Sequence, residues 1–237
     1  MTHPADSLQN HLLACLPEAE IQRLLPQLES VDLPLGKVLY ESGAPLSFVY
    51  FPTSAIVSLI YVLENGSSTE VAVVGFDGVV GIASFMGGES TPNRAVVQTA
   101  GAGYRLRVNA IQFEFERSNP VMRLMLRYAQ AINVQMSQTA VCNRHHMLDQ
   151  QLCRWLLFSL DRLRGSELVM TQELIANMLG VRREGVTEAA LKLQAAGLIR
   201  YARGHISVLD RAGMEHRACE CYRVVKKEYD RLLPALK

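Results

Sequence analysis

The sequence predicts an α+β chain: an N-terminal β-roll of jelly-roll type, one long helix, and a C-terminal winged helix-turn-helix. Three observations carry this expectation. Short β-branched runs crowd between Val31 and Val108, each followed by a turn signal. Residues 121–146 then pass without glycine or proline. From Thr171 a glycine separates two amphipathic segments, and a hairpin signal follows them.

Before the roll, Leu12, Leu13, Leu16, Ile21, Leu24, Leu25 and Leu28 recur at helical spacing, interrupted by Pro17 and Pro26. Short helices are expected over residues 7–30. The strand candidates are VLY, FVYF, AIVSLIYVL, EVAVV, RAVVQT and YRLRV. Between them stand Pro34-Leu35-Gly36, Ser42-Gly43-Ala44-Pro45, Asn65-Gly66, Gly87-Gly88 and Gly101-Ala102-Gly103. Strands so short and so regularly punctuated build a roll or barrel.

The long helix spans about 119–146, well beyond the mean helix of about 11–12 residues. Leu126, Ala129, Asn133, Met136 and Ala140 follow one another at alternating steps of three and four. That stripe fits a coiled-coil seam with one polar residue, hence a homodimer; it equally fits packing on the roll. A second helix is expected near Asp149 to Arg164, with Leu152, Trp155, Leu156 and Leu160 on one face and Trp155 in the core. The division is thus residues 1–146, a sensor-like roll with its helices, and residues 147–237, a DNA-binding domain.

Within that second domain Thr171 is an N-cap residue for a helix from Gln172 to Leu179. Gly180 supplies the left-handed corner, and a second helix runs from about Arg182 to Ala195. Ala176 permits close approach and Val186 fills the interface, as a helix-turn-helix requires. LIRYA and HISVLD around Arg203-Gly204 give the wing hairpin. The dipole at a helix start disfavours cations, yet Arg182 and Arg183 stand there. A recognition helix gives them a use, because its first turn enters the major groove and arginine pairs bidentately with guanine. Glu184, Thr187 and Glu188 extend the reading face; Lys192, Arg203 and His205 are expected on phosphates, with Thr171 and Gln172 at the neighbouring helix start. A solvated hairpin tip is the other reading of Arg203 and His205.

Charge agrees with this division. The chain carries +1 overall, but residues 1–146 hold 9 Lys/Arg against 12 Asp/Glu and residues 147–237 hold 15 against 11. The basic half is the one expected to meet a polyanion. No apolar run reaches the roughly 18 residues of a membrane span, and no signal peptide is expected at the N-terminus. Cys15, Cys142, Cys153, Cys219 and Cys221 form an odd set without CxxC, consistent with reduced thiols and a cytoplasmic location. Cys142, His145 and His146 stand at i, i+3 and i+4, and are read as a solvated hinge rather than a metal site. Cys219 and Cys221, two apart, are read as packed or exposed thiols; no metal and no cofactor are expected.

A roll, a long helix and a winged helix-turn-helix together resemble the Crp/Fnr family of bacterial transcription regulators, over roughly Val31 to Arg231. The resemblance is carried by Gly180, Arg183-Glu184, Val186, Gly197-Leu198-Ile199 and Gly204. LPLGKVLYESGAPLSFVYF is similar to the family's opening strands, and FDGVVG with Asn93 to Val97 to its cyclic-nucleotide cassette. Arg154-Trp155-Leu156-Leu157 and Ala218-Cys219-Glu220-Cys221-Tyr222 resemble divergent members. By this resemblance the ligand site would comprise Gly81, Ile82, Arg94 and Ala95. Cyclic-AMP binders place a glutamate on the ribose after the cassette glycine, and a hydroxyl residue after the arginine. Here Ile82 and Ala83 follow Gly81, and Ala95 follows Arg94, so cyclic AMP is not the expected ligand. Arg94 then either anchors another anion or is structural in an empty roll. Cys15 stands alone, so the family's N-terminal iron–sulfur cluster is not expected. Arg183 and Glu184 keep the cyclic-AMP-type reading pair, whereas Glu188 replaces its second arginine, so a different palindrome is expected.

The expected function is a homodimeric, sequence-specific transcription regulator with double-stranded DNA, a second copy and, by the resemblance, RNA polymerase as partners. A ligand-binding module acting through protein partners without DNA is the rival reading. An enzyme of cupin type is not expected, since residues 31–110 contain no histidine.

Overall fold

The structure, a computed structural model, describes residues 4–163 and 167–233. A short 3-10 turn (Pro4–Gln9) leads into α1 (His11–Ala14) and α2 (Glu18–Leu24). Asn10 fastens this start to the roll. Its Oδ1 accepts from the Leu12 and Leu13 amides at 3.1 and 3.2 Å, while its Nδ2 donates to the Pro52 and Gly78 carbonyls. Seven strands follow: β1 (Glu29–Leu33), β2 (Val38–Tyr40), β3 (Phe48–Pro52), β4 (Ile56–Val62), β5 (Ser68–Val74), β6 (Arg94–Thr99) and β7 (Gly101–Arg107). They pair antiparallel into two sheets, β1-β7-β3 and β2-β6-β4-β5, the expected roll.

Then come α3 (Val108–Arg117), α4 (Asn119–His145), α5 (Leu148–Asp161) and β8 (Glu167–Val169). The helix-turn-helix is α6 (Gln172–Leu179) and α7 (Arg183–Ala195), and the wing is β9 (Ile199–Ala202) and β10 (His205–Val208). α8 (Arg211–Arg217) and α9 (Glu220–Leu232) close the chain. α5 ends at Asp161, short of the expected boundary; Arg164 lies outside the described residues. β1 begins two residues inside the segment expected to be helical, because its backbone pairs with β7 from Glu29 onward.

The run AIVSLIYVL shows how one strand joins the two halves. Side chains alternate across a strand. Val57 and Leu59 therefore enter the roll core with Val49, Leu106 and Met125. Ile56 and Ile60 face the other way and join Trp155, Leu156, Ile175 and Val186 in a second core. A strand apolar on both faces reads as a continuous hydrophobic run, and here the helix-turn-helix domain covers the second face. No helix among the described residues is long and apolar enough to cross a membrane.

Candidate nucleic-acid interface

Thr171 caps α6: its hydroxyl accepts from the Leu174 amide at 3.2 Å, satisfying one of the free N–H groups at the helix start. Gly180 ends α6 at φ 66°, a left-handed conformation that costs a residue with a Cβ about 1 kcal/mol or more. A Cβ there would also strike the Thr69 hydroxyl of β5. Ala176, Val186, Ala190 and Leu193 are buried, so α6 and α7 meet through the small and apolar residues expected.

That packing turns the opposite face of α7 to solvent. Arg182, at its N-cap, and Arg183, Glu184, Glu188 and Lys192 are all exposed. Arg182 and Arg183 form no ion pair among the described residues. Thr187 donates to Gln172 Oε1 at 2.7 Å, so these two residues hold the starts of the two helices together. Lys192 lies 2.8 Å from Glu188 one turn earlier. Hydrogen bonding to the ammonium holds the Glu188 carboxyl below its usual range and raises Lys192 in turn. Lys192 thus shares its charge with a carboxylate on the exposed face of α7.

The wing turns at Arg203 and Gly204, both with positive φ (52° and 83°), the backbone of a two-residue hairpin turn. Arg203 is exposed at the tip. His205 approaches Glu167 of β8, Nδ1 to Oε1 at 3.1 Å, a partner supplied by a strand the sequence did not announce. Tyr201, not foreseen as a site residue, donates to the Met170 carbonyl at 2.8 Å. It lines a groove with Thr171, Gln172, Glu173, Arg183 and Arg203 between α7 and the wing. Its signal was faint: one aromatic on a short hairpin strand.

The other expected sites divide. Gly81 (φ 102°) caps a short 3-10 turn against Val49, Ile82 packs on the roll core, and Ala95 is fully buried there. Arg94 falls on the opposite face of β6 and pairs with Glu41 at 3.3 Å, so the structure does not bring the four together inside the roll. On α4, Leu126, Asn133 and Ala140 are exposed, whereas Ala129 is buried and Met136 packs against the roll core. Near the end of α4, His145 is exposed, but Cys142 is buried and His146 is only 15% exposed. These two turn toward Cys219 and Cys221, which corrects the reading of a solvated hinge for Cys142 and His146, while His145 is solvated as expected. A helix places Cys142 and His146 one turn apart, but the chain's return through α8 was needed to bring the other thiols to them.

Residues 150–217 match the Crp-like helix-turn-helix domain. Among solved structures, the chain is similar to a protein from Eubacterium rectale described as a transcriptional regulator of the Crp/Fnr family. That match has a TM-score of 0.67 and 18% identity, covering 87% of this chain and 96% of the other. It is also similar to FixK2 of Bradyrhizobium japonicum (TM-score 0.69, 15% identity, 81% and 98% covered). The global regulator CLP of Xanthomonas campestris, described as responsive to c-di-GMP, matches at TM-score 0.64 and 16% identity over 82% and 100%. No curated protein sequence matches the chain.

Proposed function

We propose, from the match of residues 150–217 to the Crp-like helix-turn-helix domain on a chain whose fold is that of Crp/Fnr regulators, a DNA-binding transcription regulator acting as a homodimer on a pseudo-palindromic operator. The observation that carries the reading is the pair Arg182 and Arg183, exposed and without an ion pair among the described residues at the start of α7. Cations gain nothing from that end of a helix. In the major groove they gain guanine O6 and N7, and each good bidentate pair discriminates by about 1–3 kcal/mol.

Glu184 accepts from a cytosine amine or orients Arg183, and Arg203 meets the backbone beside the groove. Two copies related by a two-fold axis along α4, through Leu126, Asn133 and Ala140, set their recognition helices about 34–36 Å apart, one DNA turn. Any effector in the roll is not cyclic AMP, because Ile82 and Ala95 supply neither the carboxylate nor the hydroxyl that nucleotide needs. The outward ion pair of Arg94 with Glu41 favours its structural role. RNA polymerase is the further partner this reading admits.

The test is selection of bound duplexes from a random-sequence pool by the full chain. Enrichment of two inverted half-sites one helical turn apart is expected. An unenriched pool without salt-dependent affinity would sink the proposal and favour a module acting through protein partners.

A further inference from the structure

Cys142 and His146, one turn apart at the end of α4, face Cys219 and Cys221 at the start of α9. One ligating atom from each lies within 4.8 Å of all the others. Cys142 Sγ and Cys219 Sγ are 3.4 Å apart, and Cys221 Sγ and His146 Nδ1 are 3.6 Å apart. A tetrahedral ion with bonds of about 2.3 Å to sulfur and 2.0 Å to nitrogen has ligand–ligand edges of about 3.5–3.8 Å. Two opposite edges are therefore already near that spacing. The three thiols are buried and form a cluster of their own, separate from both apolar cores.

The surroundings are those of a metal ligand set. His146 turns Nδ1 to the thiols and Nε2 to Glu220, whose Oε2 is 3.2 Å away. A metal-bound histidine characteristically donates its second ring N–H to a carboxylate, which fixes the tautomer that leaves the other nitrogen free to coordinate. Gln151 donates to the His146 carbonyl at 2.9 Å and steadies the same turn. Three thiolates and a neutral imidazole around a divalent ion leave one negative charge, and the buried guanidinium of Arg154 stands within electrostatic reach of Cys142 and Cys221.

We propose that Cys142, His146, Cys219 and Cys221 bind one thiophilic divalent ion of the zinc class, with Glu220 orienting His146. All four positions are filled by protein, so the site is structural rather than catalytic. It ties the last turn of the long helix to the first turn of the final one, across the joint between the two halves. The site stands independently of the DNA-binding proposal.

Purified full-length chain loaded with Zn2+ and dialysed is expected to retain one ion per chain by elemental mass spectrometry. Co2+ in its place is expected to give the intense visible bands of tetrahedral cobalt and a thiolate charge-transfer band. Cys142→Ser and Cys219→Ser lose both; Cys15→Ser, remote from the cluster, keeps both. Should the buried variants fail to fold, Glu220→Gln decides, because Glu220 is exposed: zinc affinity against a chromophoric chelator is expected to fall about 10–100-fold. No retained zinc, an octahedral cobalt spectrum, or a Cys142–Cys219 disulfide in place of the ion would overturn the proposal, as would unchanged affinity in Glu220→Gln.

Discussion

Trp155 of α5 donates its indole N–H to Glu70 Oε1 of β5 at 2.8 Å, and through this bond the helix-turn-helix domain grips the roll. Glu70 and Trp155 are both buried. Burial pushes the Glu70 carboxyl up to about 7, against the opposing pull of Ser58, Trp155, Arg154 and Arg162. On its other side the carboxyl accepts from the Ser58 hydroxyl at 2.5 Å, and next to Ser58 Gln98 Nε2 donates to Ser159 Oγ back on α5 at 3.4 Å.

The interface is therefore expected to weaken with rising pH. The folded pKa of about 7 lies above the ordinary 4.5, so between those values the native state holds more protons than the unfolded one. Its contribution is complete below pH 4.5 and is lost as pH rises through 7. The expected swing is about 1–3 kcal/mol. Glu70→Gln keeps the acceptor for Trp155 and removes the titration. Urea unfolding at pH 5.5 and 8 should thus show a stability difference in the parent that shrinks in the variant; parallel profiles would count against the assignment.

Arg183→Ala is expected to weaken binding to the selected operator by about 1–3 kcal/mol, roughly five- to 150-fold, while random duplex binding changes little. Arg183 is exposed and stability should hold. Paired anisotropy titrations on both duplexes check it. Equal losses on the two would make Arg183 a phosphate contact.

The architecture was legible because it rests on local chemistry: Thr171, Gly180, Val186 and the Arg203-Gly204 turn each have a backbone or packing reason to be what they are. What was not legible is pairing across the chain. Glu70 and Trp155 stand 85 residues apart, and Cys142 and Cys219 are 77 apart. Nothing in their spacing encodes the meeting. The α4 stripe shows the same limit at closer range. Heptad steps place Ala129 and Met136 with Leu126, Asn133 and Ala140, but the roll and its helices pack against that side and leave only the latter three exposed.

Arg203→Gly separates conformation from charge at the wing. Arg203 has φ 52°, a region that glycine enters freely and arginine does not. The variant is expected to be as stable as the parent or more so, by up to about 1 kcal/mol. DNA affinity should fall by a similar factor on every sequence, and the salt slope should lose about one unit. Thermal unfolding and binding across a salt series measure the two effects separately. An unchanged salt slope would return Arg203 to a solvated hairpin tip.

Leu126→Glu tests the two-fold axis. Leu126 is 47% exposed on α4, so within one chain the change removes little burial and is expected to move stability by less than about 0.5 kcal/mol. Across an isologous interface it acts twice, since the same residue from each copy approaches the axis. Two carboxylates would then face each other in an apolar seam, where an unpaired charge is costly. Sedimentation equilibrium should find the parent dimeric and the variant monomeric at micromolar concentration. The variant should also lose most operator affinity, because each half-site then binds alone. Met136→Glu is the contrast: it puts charge against the roll core and is expected to destabilise the fold itself. A Leu126→Glu chain that stays dimeric would move the interface off this face of α4.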